Sequence, residues 1–356
     1  NSTILTPSDA AIAVGVEPTL EASKETWQRA WRAHRFMMKL LHRFDGCRPK
    51  DSKLALACLW WKALAGNDPT SPVHDRRLSY DLLPPITRWI VHRRLCRWYP
   101  RLHHANVEIR TAYLDKSVSN VINSIMTNDE TCIGPLAPRA KIRLIVMGGG
   151  YDTRSMKLLE RSLFQSNETA SRRRRRWWRM PRRKSDQTPS NAFQNITSDG
   201  YDLECYELDL PEVVRAKRQL LQSRLFRRRP WLREAENYPT LIPADFNDAN
   251  ETRRALEGIL RPDGEGGCAN NIILFEGVMI YLDEGVPHSL LRLCSDVLGE
   301  SDASSGHLCF ADRLENIPGG DEDAARAEME GTGWELLDWL PKPGLARHMG
   351  VARLKG

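Results

Sequence analysis

The stretch Arg143-Leu-Ile-Val-Met-Gly-Gly-Gly-Tyr-Asp-Thr-Arg154 decides how the rest of the chain reads. Leu144 to Met147 is an apolar run of the kind that forms a parallel strand covered on both faces. Three glycines follow at once, and there the backbone can turn tightly and lie close to a ligand with no Cβ in the way. Asp152 stands where a helix N-cap is wanted, ahead of an apolar-periodic segment carrying Met156, Leu159 and Leu163. Strand, glycine turn and helix make the first unit of a nucleotide-binding α/β fold. Gly148-Gly149-Gly150 lacks the third glycine of the dinucleotide fingerprint and carries no Gly-Lys-Ser/Thr, so neither NAD nor a P-loop nucleotide is favoured.

Downstream the unit repeats. Tyr201 to Asp209 reads as a strand, and Pro211 opens a helix over 211–226, a position proline suits. Thr240 to Phe246 is a third strand with a helix over 249–260 after it. Ile272 to Val278 is a fourth, followed by a helix over 284–298, and His307 to Ala311 is a fifth. Trp334 to Leu340 and His348 to Leu354 read as a terminal hairpin about Lys342-Pro343-Gly344. Five strand–helix repeats in order predict a doubly wound, mostly parallel sheet. Between the first helix and the second strand, residues 165–200 break the alternation with Ser, Asn, Gln and Arg, a composition that predicts a disordered insertion.

Upstream the signals are helical. Residues 1–24 are small, polar and aperiodic, a frayed end. Trp27, Trp31, Phe36, Leu40 and Leu41 recur at helical spacing over 25–43. Ser52 to Ala65 predicts a second helix stopped by Gly66-Asn67-Asp68-Pro69. Val73 to Tyr99 reads as helices broken at Pro84-Pro85, and Val107 to Ile125 carries an apolar stripe that leads into the first strand. Six of the eleven tryptophans precede residue 100, which is better explained as the core of a helical cap than as a base-stacking surface. The expected division is therefore a cap over 25–105 and a sheet domain over 106–356.

At 356 residues, 41% hydrophobic and 28% charged, the chain has the composition of a soluble globular protein. No run approaches the roughly 20 apolar residues of a membrane span; the best candidate, Leu54 to Ala65, is broken by Lys62. No basic-then-apolar leader is visible, so the expected location is the cytoplasm, with organelle targeting left open. The eight cysteines include no Cys-x-x-Cys pair and read as reduced thiols. The net charge of +6 is local: Arg172 to Lys184 holds nine basic residues and no acid, so the remainder carries −3.

In a doubly wound sheet the ligand lies across the carboxyl ends of the strands. Acids recur there: Asp209 ends the second strand, Asp245 follows the third and Glu276 lies near the end of the fourth. One carboxylate can accept both hydroxyls of a ribose, and another an adenine amino proton. Each alone reads as a turn or capping acid; three beside one glycine turn describe a nucleoside site.

These blocks resemble a known family. Gly148-x-Gly150-x-Asp152-Thr153-Arg154, then Tyr206 to Val214 with Lys217, Ala244 to Asp248 and Phe275 to Tyr281 are similar to the leucine carboxyl methyltransferases. Glu108 to Asp115 resembles the helix before the first strand in that family. The resemblance covers roughly residues 105–300 with the insertion excluded. It implies a Rossmann-like, seven-stranded sheet and S-adenosylmethionine as cofactor. It further implies that Arg110 holds the methionine carboxylate, Gly148 and Gly150 flank the methionine part, and Asp152 belongs to the same binding set. Asp209 would bind the ribose, Asp245 and Phe246 would face the adenine, and Glu276 would lie near the methionine amino group.

About 45 residues follow the fifth strand, fewer than in the enzymes that methylate a C-terminal leucine, so the chain looks like the shorter branch found in bacteria and photosynthetic eukaryotes. The resemblance thus implies O-methylation of a small-molecule or protein carboxylate, with the acceptor left open. A carboxylate is already ionised at neutral pH and needs no general base. No Ser-His-Asp, Cys-His or metal-spaced set is present in the sequence. His103, His104 and Tyr281 could assist a hydroxyl acceptor, though surface or core roles suit them better. Two alternatives stand beside this reading. Arg172–Lys184 with Trp177-Trp178 could grip a transfer RNA, or the fold could be an inactive scaffold.

Overall fold

β1 (Ala140–Met147) has seven of its eight residues buried, as its unbroken apolar run requires of a strand covered on both faces. In the computed structural model it pairs in parallel with β2 (Tyr201–Asp209) on one side and β4 (Ala269–Glu276) on the other. The register sets Met147 level with Leu208 and Phe275. The glycine turn, Asp209 and Glu276 therefore reach the same edge of the sheet. β3 (Thr240–Pro243) flanks β2, and β5 (Ser305–Asp312) runs parallel to β4. β7 (His348–Leu354) inserts antiparallel between β5 and β6 (Trp334–Leu340), giving the order β3-β2-β1-β4-β5-β7-β6. The predicted mostly parallel sheet with a terminal antiparallel hairpin is what forms.

The structure describes residues 28, 32–39, 52–66, 73, 78–92, 101–128, 140–159, 201–234, 238–260, 269–301, 305–312, 314, 317, 321–340 and 348–356. The expected frayed end, the insertion at 165–200 with Arg172–Lys184, Leu163, most of the helix over 25–43 and Lys342-Pro343-Gly344 lie outside the described residues, as do the side chains of His103 and His104.

The helices are α1 (32–39), α2 (Ser52–Gly66), α3 (Leu78–Leu82), α4 (Pro85–His92), α5 (Arg101–Asn128), α6 (154–159), α7 (Pro211–Leu220), α8 (Ala249–Leu260), α9 (Val286–Gly299) and α10 (Glu322–Gly331). Alternate residues of β1 feed opposite cores, as a period of two demands. Ile142, Leu144 and Val146 pack with α5 and α6, while Ile145 and Met147 pack with α8 and α9. A third cluster joins Met37, Leu56, Trp60 and Leu82 of the N-terminal helices to Tyr151 and Met156 after the glycine turn and to Val214 and Leu220 of α7. Of the tryptophans expected to form a helical core, Trp60 is fully buried, Trp61 is partly buried and Trp89 is half exposed, while Trp27, Trp31 and Trp98 lie outside the described residues.

Several boundaries differ from the sequence reading. β3 stops at Pro243 rather than running to Phe246. Proline has no N–H to continue the ladder, and Asp245 draws the Asn247 N–H onto its own carboxylate to form a turn. β4 covers 269–276 rather than 272–278, because Gly277 takes φ +67° and ends it. Asp152 is one residue before the true cap of α6. The Thr153 carbonyl accepts the first intrahelical bond, from the Lys157 N–H, although the Asp152 carboxylate does accept from Thr153 N and Arg154 N. α7 widens into a π turn over Leu221–Leu225 before a last turn at Phe226–Arg228. α10 was not anticipated. Cys205, Cys294 and Cys309 are buried free thiols and Cys58 is a partly buried one.

Candidate active site

The glycine turn is fastened to β2 before any side chain acts. Gly148 N and Gly149 N both donate to the Leu208 carbonyl, at 2.8 and 3.2 Å. Gly148 takes φ +67°, and a Cβ there would fall 2.1 Å from Val278 Cγ2. Gly150 N then donates to Asp209 Oδ2 at 2.6 Å, and Leu210 N to Oδ1 at 2.8 Å. Burial pushes the Asp209 carboxyl above its ordinary range, against the pull of these two N–H groups. Each oxygen keeps a lone pair for a further donor.

Beside this bond lies a cluster of buried charges from four elements. Glu276, the last residue of β4, accepts at Oε1 from Arg110 Nε (3.0 Å) and Thr111 Oγ1 (3.3 Å) on α5. At Oε2 it accepts from Arg154 Nη2 (2.8 Å) and Lys62 Nζ (3.1 Å). Asp152 Oδ2 meets Arg154 Nη1 at 2.8 Å and Lys62 Nζ at 3.2 Å. Arg154 Nε reaches Asp115 of α5 at 2.6 Å, and Lys157 meets the other oxygen of Asp115 at 2.8 Å. Burial alone would raise the Glu276 carboxyl, but Lys62, Arg154 and Arg110 outweigh it and hold Glu276 well below its ordinary value. Burial opposes the Arg110 charge in the same way, and Glu276 more than restores it.

The surroundings pin this cluster in place. Asp312 at the end of β5 accepts from Val278 N (2.6 Å) and Met279 N (3.0 Å), shaping the backbone just past Glu276. A Cβ on Gly277 would sit 3.4 Å from Arg110 Nη1, so this glycine, at positive φ, lets the guanidinium lie close to the main chain. Lys217 of α7 donates to the Asp152 carbonyl (2.7 Å) and pairs with Glu207 of β2. From the N-terminal helices come Lys62 itself, Cys58 against Arg110 Nη2 (3.5 Å), and Ser79 against Thr153 Oγ1 (3.1 Å).

Six of the eight sequence-predicted residues thus fall into three groups. Arg110, Asp152 and Glu276 join one ion network; Gly150 and Asp209 share a hydrogen bond; Gly148 packs on Val278. Asp245 is partly buried, in the turn whose Ala244 N bonds the Asp209 carbonyl at 2.8 Å, whereas Phe246 is buried in the core with α8 and α9. Tyr281 is exposed. The sequence reading missed Lys62, treated there only as a break in an apolar run, and missed Arg154 and Asp115 as site residues although both lie in the quoted blocks. A lysine inside the apolar stretch Leu54 to Ala65 was the available signal, since a buried ammonium needs a partner. A separate groove of about 210 Å³ lies between α5 and the β5-β7-β6 edge, lined by Tyr113, Asn120, His307 and Leu337, away from the strand ends. Among the described residues no cluster of His, Cys, Asp and Glu could hold a metal, and no helix is long and apolar enough to cross a membrane.

Comparison with known proteins gives one family. The model of the leucine carboxyl methyltransferase family matches residues 190–294, the span from β2 through most of α9. No curated protein matches the chain. Among solved structures, a magnesium protoporphyrin IX methyltransferase from Synechocystis PCC 6803 with bound SAM aligns at 11% identity over 74% of this chain and 91% of its own, TM-score 0.36. An O-methyltransferase family protein from Burkholderia thailandensis aligns at 12% identity over 95% and 97%, TM-score 0.35. A riboflavin-derivative dimethyltransferase from Streptomyces davawensis aligns at 14% identity over 98% and 89%, TM-score 0.32. At such scores the fold rests on the strand order itself. With that order and the family match together, the chain is an S-adenosylmethionine-dependent methyltransferase, similar over 190–294 to the leucine carboxyl methyltransferases.

Proposed function

We propose that the cluster at the ends of β1, β2 and β4 holds S-adenosylmethionine and that the acceptor is a carboxylate. The observation that carries this reading is the buried Arg110–Glu276–Arg154–Asp152 network standing beside the Gly150–Asp209 hydrogen bond. The residues fit the cofactor. Four cations (Lys62, Arg110, Arg154, Lys157) pair with three carboxylates (Asp115, Asp152, Glu276), and a zwitterionic amino-acid end adds no net charge to them. Asp209, outside that set, supplies the extra negative charge a sulfonium calls for.

In this reading Arg110 takes the methionine carboxylate, for which a guanidinium fork is suited, and Glu276 with Asp152 takes the amino group. Gly148 and Gly150 flank the methionine part. Asp209 accepts from the ribose hydroxyls, while Asp245 and Phe246 border the adenine. The helices before α5 act as a cap that keeps water from the acceptor side. When bound, the cofactor supplies a methyl group on a sulfonium sulfur, already activated for in-line displacement. The protein's part is then alignment and dryness rather than proton transfer. A carboxylate, with an ordinary pKa near ~4, arrives ionised.

The test is methyl transfer from radiolabelled cofactor to acceptor pools, followed by treatment with base. Carboxyl methyl esters release volatile methanol under base. Label that is base-stable would count against a carboxylate acceptor while leaving the cofactor site standing.

A further inference from the structure

Arg154 ties three elements of the site together. It is 2% exposed, and its three guanidinium nitrogens reach three carboxylates on three separate elements. Nε bonds Asp115 on α5 at 2.6 Å, Nη1 bonds Asp152 after the glycine turn at 2.8 Å, and Nη2 bonds Glu276 at the end of β4 at 2.8 Å. A planar fork fixes the angles between its donors, and a lysine ammonium in the same place does not. Two of the partners, Asp152 and Glu276, also share Lys62, so each carboxylate is approached from two directions.

We propose that Arg154 is the positioning residue of the cofactor cleft: it anchors to α5 through Asp115 and sets the orientation of both Asp152 and Glu276 toward the ligand's amino group. This rests on the cofactor reading above and goes beyond it by assigning a function to a residue that need not touch the ligand. Arg154 also supplies part of the positive field that keeps both carboxylates ionised, against the burial that would raise them. Loss of the fork therefore has two signatures. The ligand cation meets misoriented acceptors, and the acceptors take up protons at a higher pH.

The experiment is calorimetric titration of S-adenosylmethionine from pH 5 to 8 into the full chain, Arg154→Lys, Asp115→Asn and Tyr113→Phe, with folding checked by circular dichroism. Tyr113 is also on α5 and donates to Asp338 at 2.6 Å, over the groove rather than the site. It controls for general loosening of the helix. Arg154→Lys is expected to bind about tenfold more weakly or worse at pH 7, with the acidic limb of affinity moved upward in pH. Asp115→Asn, which weakens the anchor and also removes the charge partner of Lys157, is expected to weaken binding in the same direction. Tyr113→Phe lowers the thermal midpoint and leaves affinity alone. A folded Arg154→Lys with wild-type affinity and pH dependence would overturn the positioning role while leaving the cofactor reading intact. If Arg154→Lys does not fold, unchanged affinity in Asp115→Asn would overturn it instead. A folded wild-type chain that binds no cofactor would overturn both.

Discussion

Gly148 carries two constraints at one backbone position. Its φ of +67° is disfavoured for any residue with a Cβ, by about 1–2 kcal/mol. The added atom would also lie 2.1 Å from Val278 Cγ2, an overpacking that costs about 1–3 kcal/mol. Gly148→Ala should therefore lower the unfolding free energy by the combined amount, read as a lower urea midpoint. Adding Val278→Ala should recover the steric part and leave the backbone part. Glu276 and Asp209 make a second contrast. Glu276 is held well below its ordinary pKa, so its contribution to stability is complete above the unfolded carboxyl value and is lost as pH falls through the depressed folded one. Glu276→Gln leaves Lys62, Arg110 and Arg154 without their shared partner and should cost about 3–5 kcal/mol at pH 7. Denaturation curves at decreasing pH should show that gap closing below about pH 4. Asp209 shifts the other way, because burial penalises its charge, so its ionisation costs stability as pH rises through its carboxyl range. Asp209→Asn should cost less stability than Glu276→Gln, and equal losses would contradict the charge assignment.

Among the elements, α10 shows what apolar periodicity cannot see. Only Ala325 and Met329 of its ten residues are buried, too thin a stripe to register as an amphipathic helix. Its start was nonetheless written in the chain: Asp321 accepts from Asp323 N and Ala324 N, and acids fill the first turn. Asp321→Ala should cost about 1 kcal/mol, read as a lower thermal midpoint with cofactor affinity unchanged. The central strands β1 and β4 were legible because burial on both faces leaves continuous apolar runs, while β2 and β6, mixed in burial, were marked by apolar residues interrupted by acids. Ends were less legible wherever a single residue overrules the run. Pro243 stops β3 and Gly277 stops β4, both inside stretches that read as continuing strand. The site was half legible. Asp209 and Glu276 announce themselves by standing at strand ends, whereas Lys62 reaches Glu276 across 214 positions of sequence. No local pattern encodes such a pairing; it follows only once α2 is laid over the strand edge.

For the molecule as a whole, the N-terminal helices and the sheet are one packing problem rather than two. Trp60, Leu56 and Leu82 share a core with Tyr151, Met156 and Leu220, so the elements that border the cleft are held by residues on both sides of it. Buried charges from α2, α5, the glycine turn and β4 converge at the one edge where a doubly wound sheet binds its ligand. The measurement that tests this account most directly is calorimetric titration of S-adenosylmethionine into the wild-type chain and Asp209→Ala. Binding in the micromolar range, weakened at least tenfold in a folded Asp209→Ala, is the predicted result. A folded wild-type chain that takes up no cofactor would contradict it.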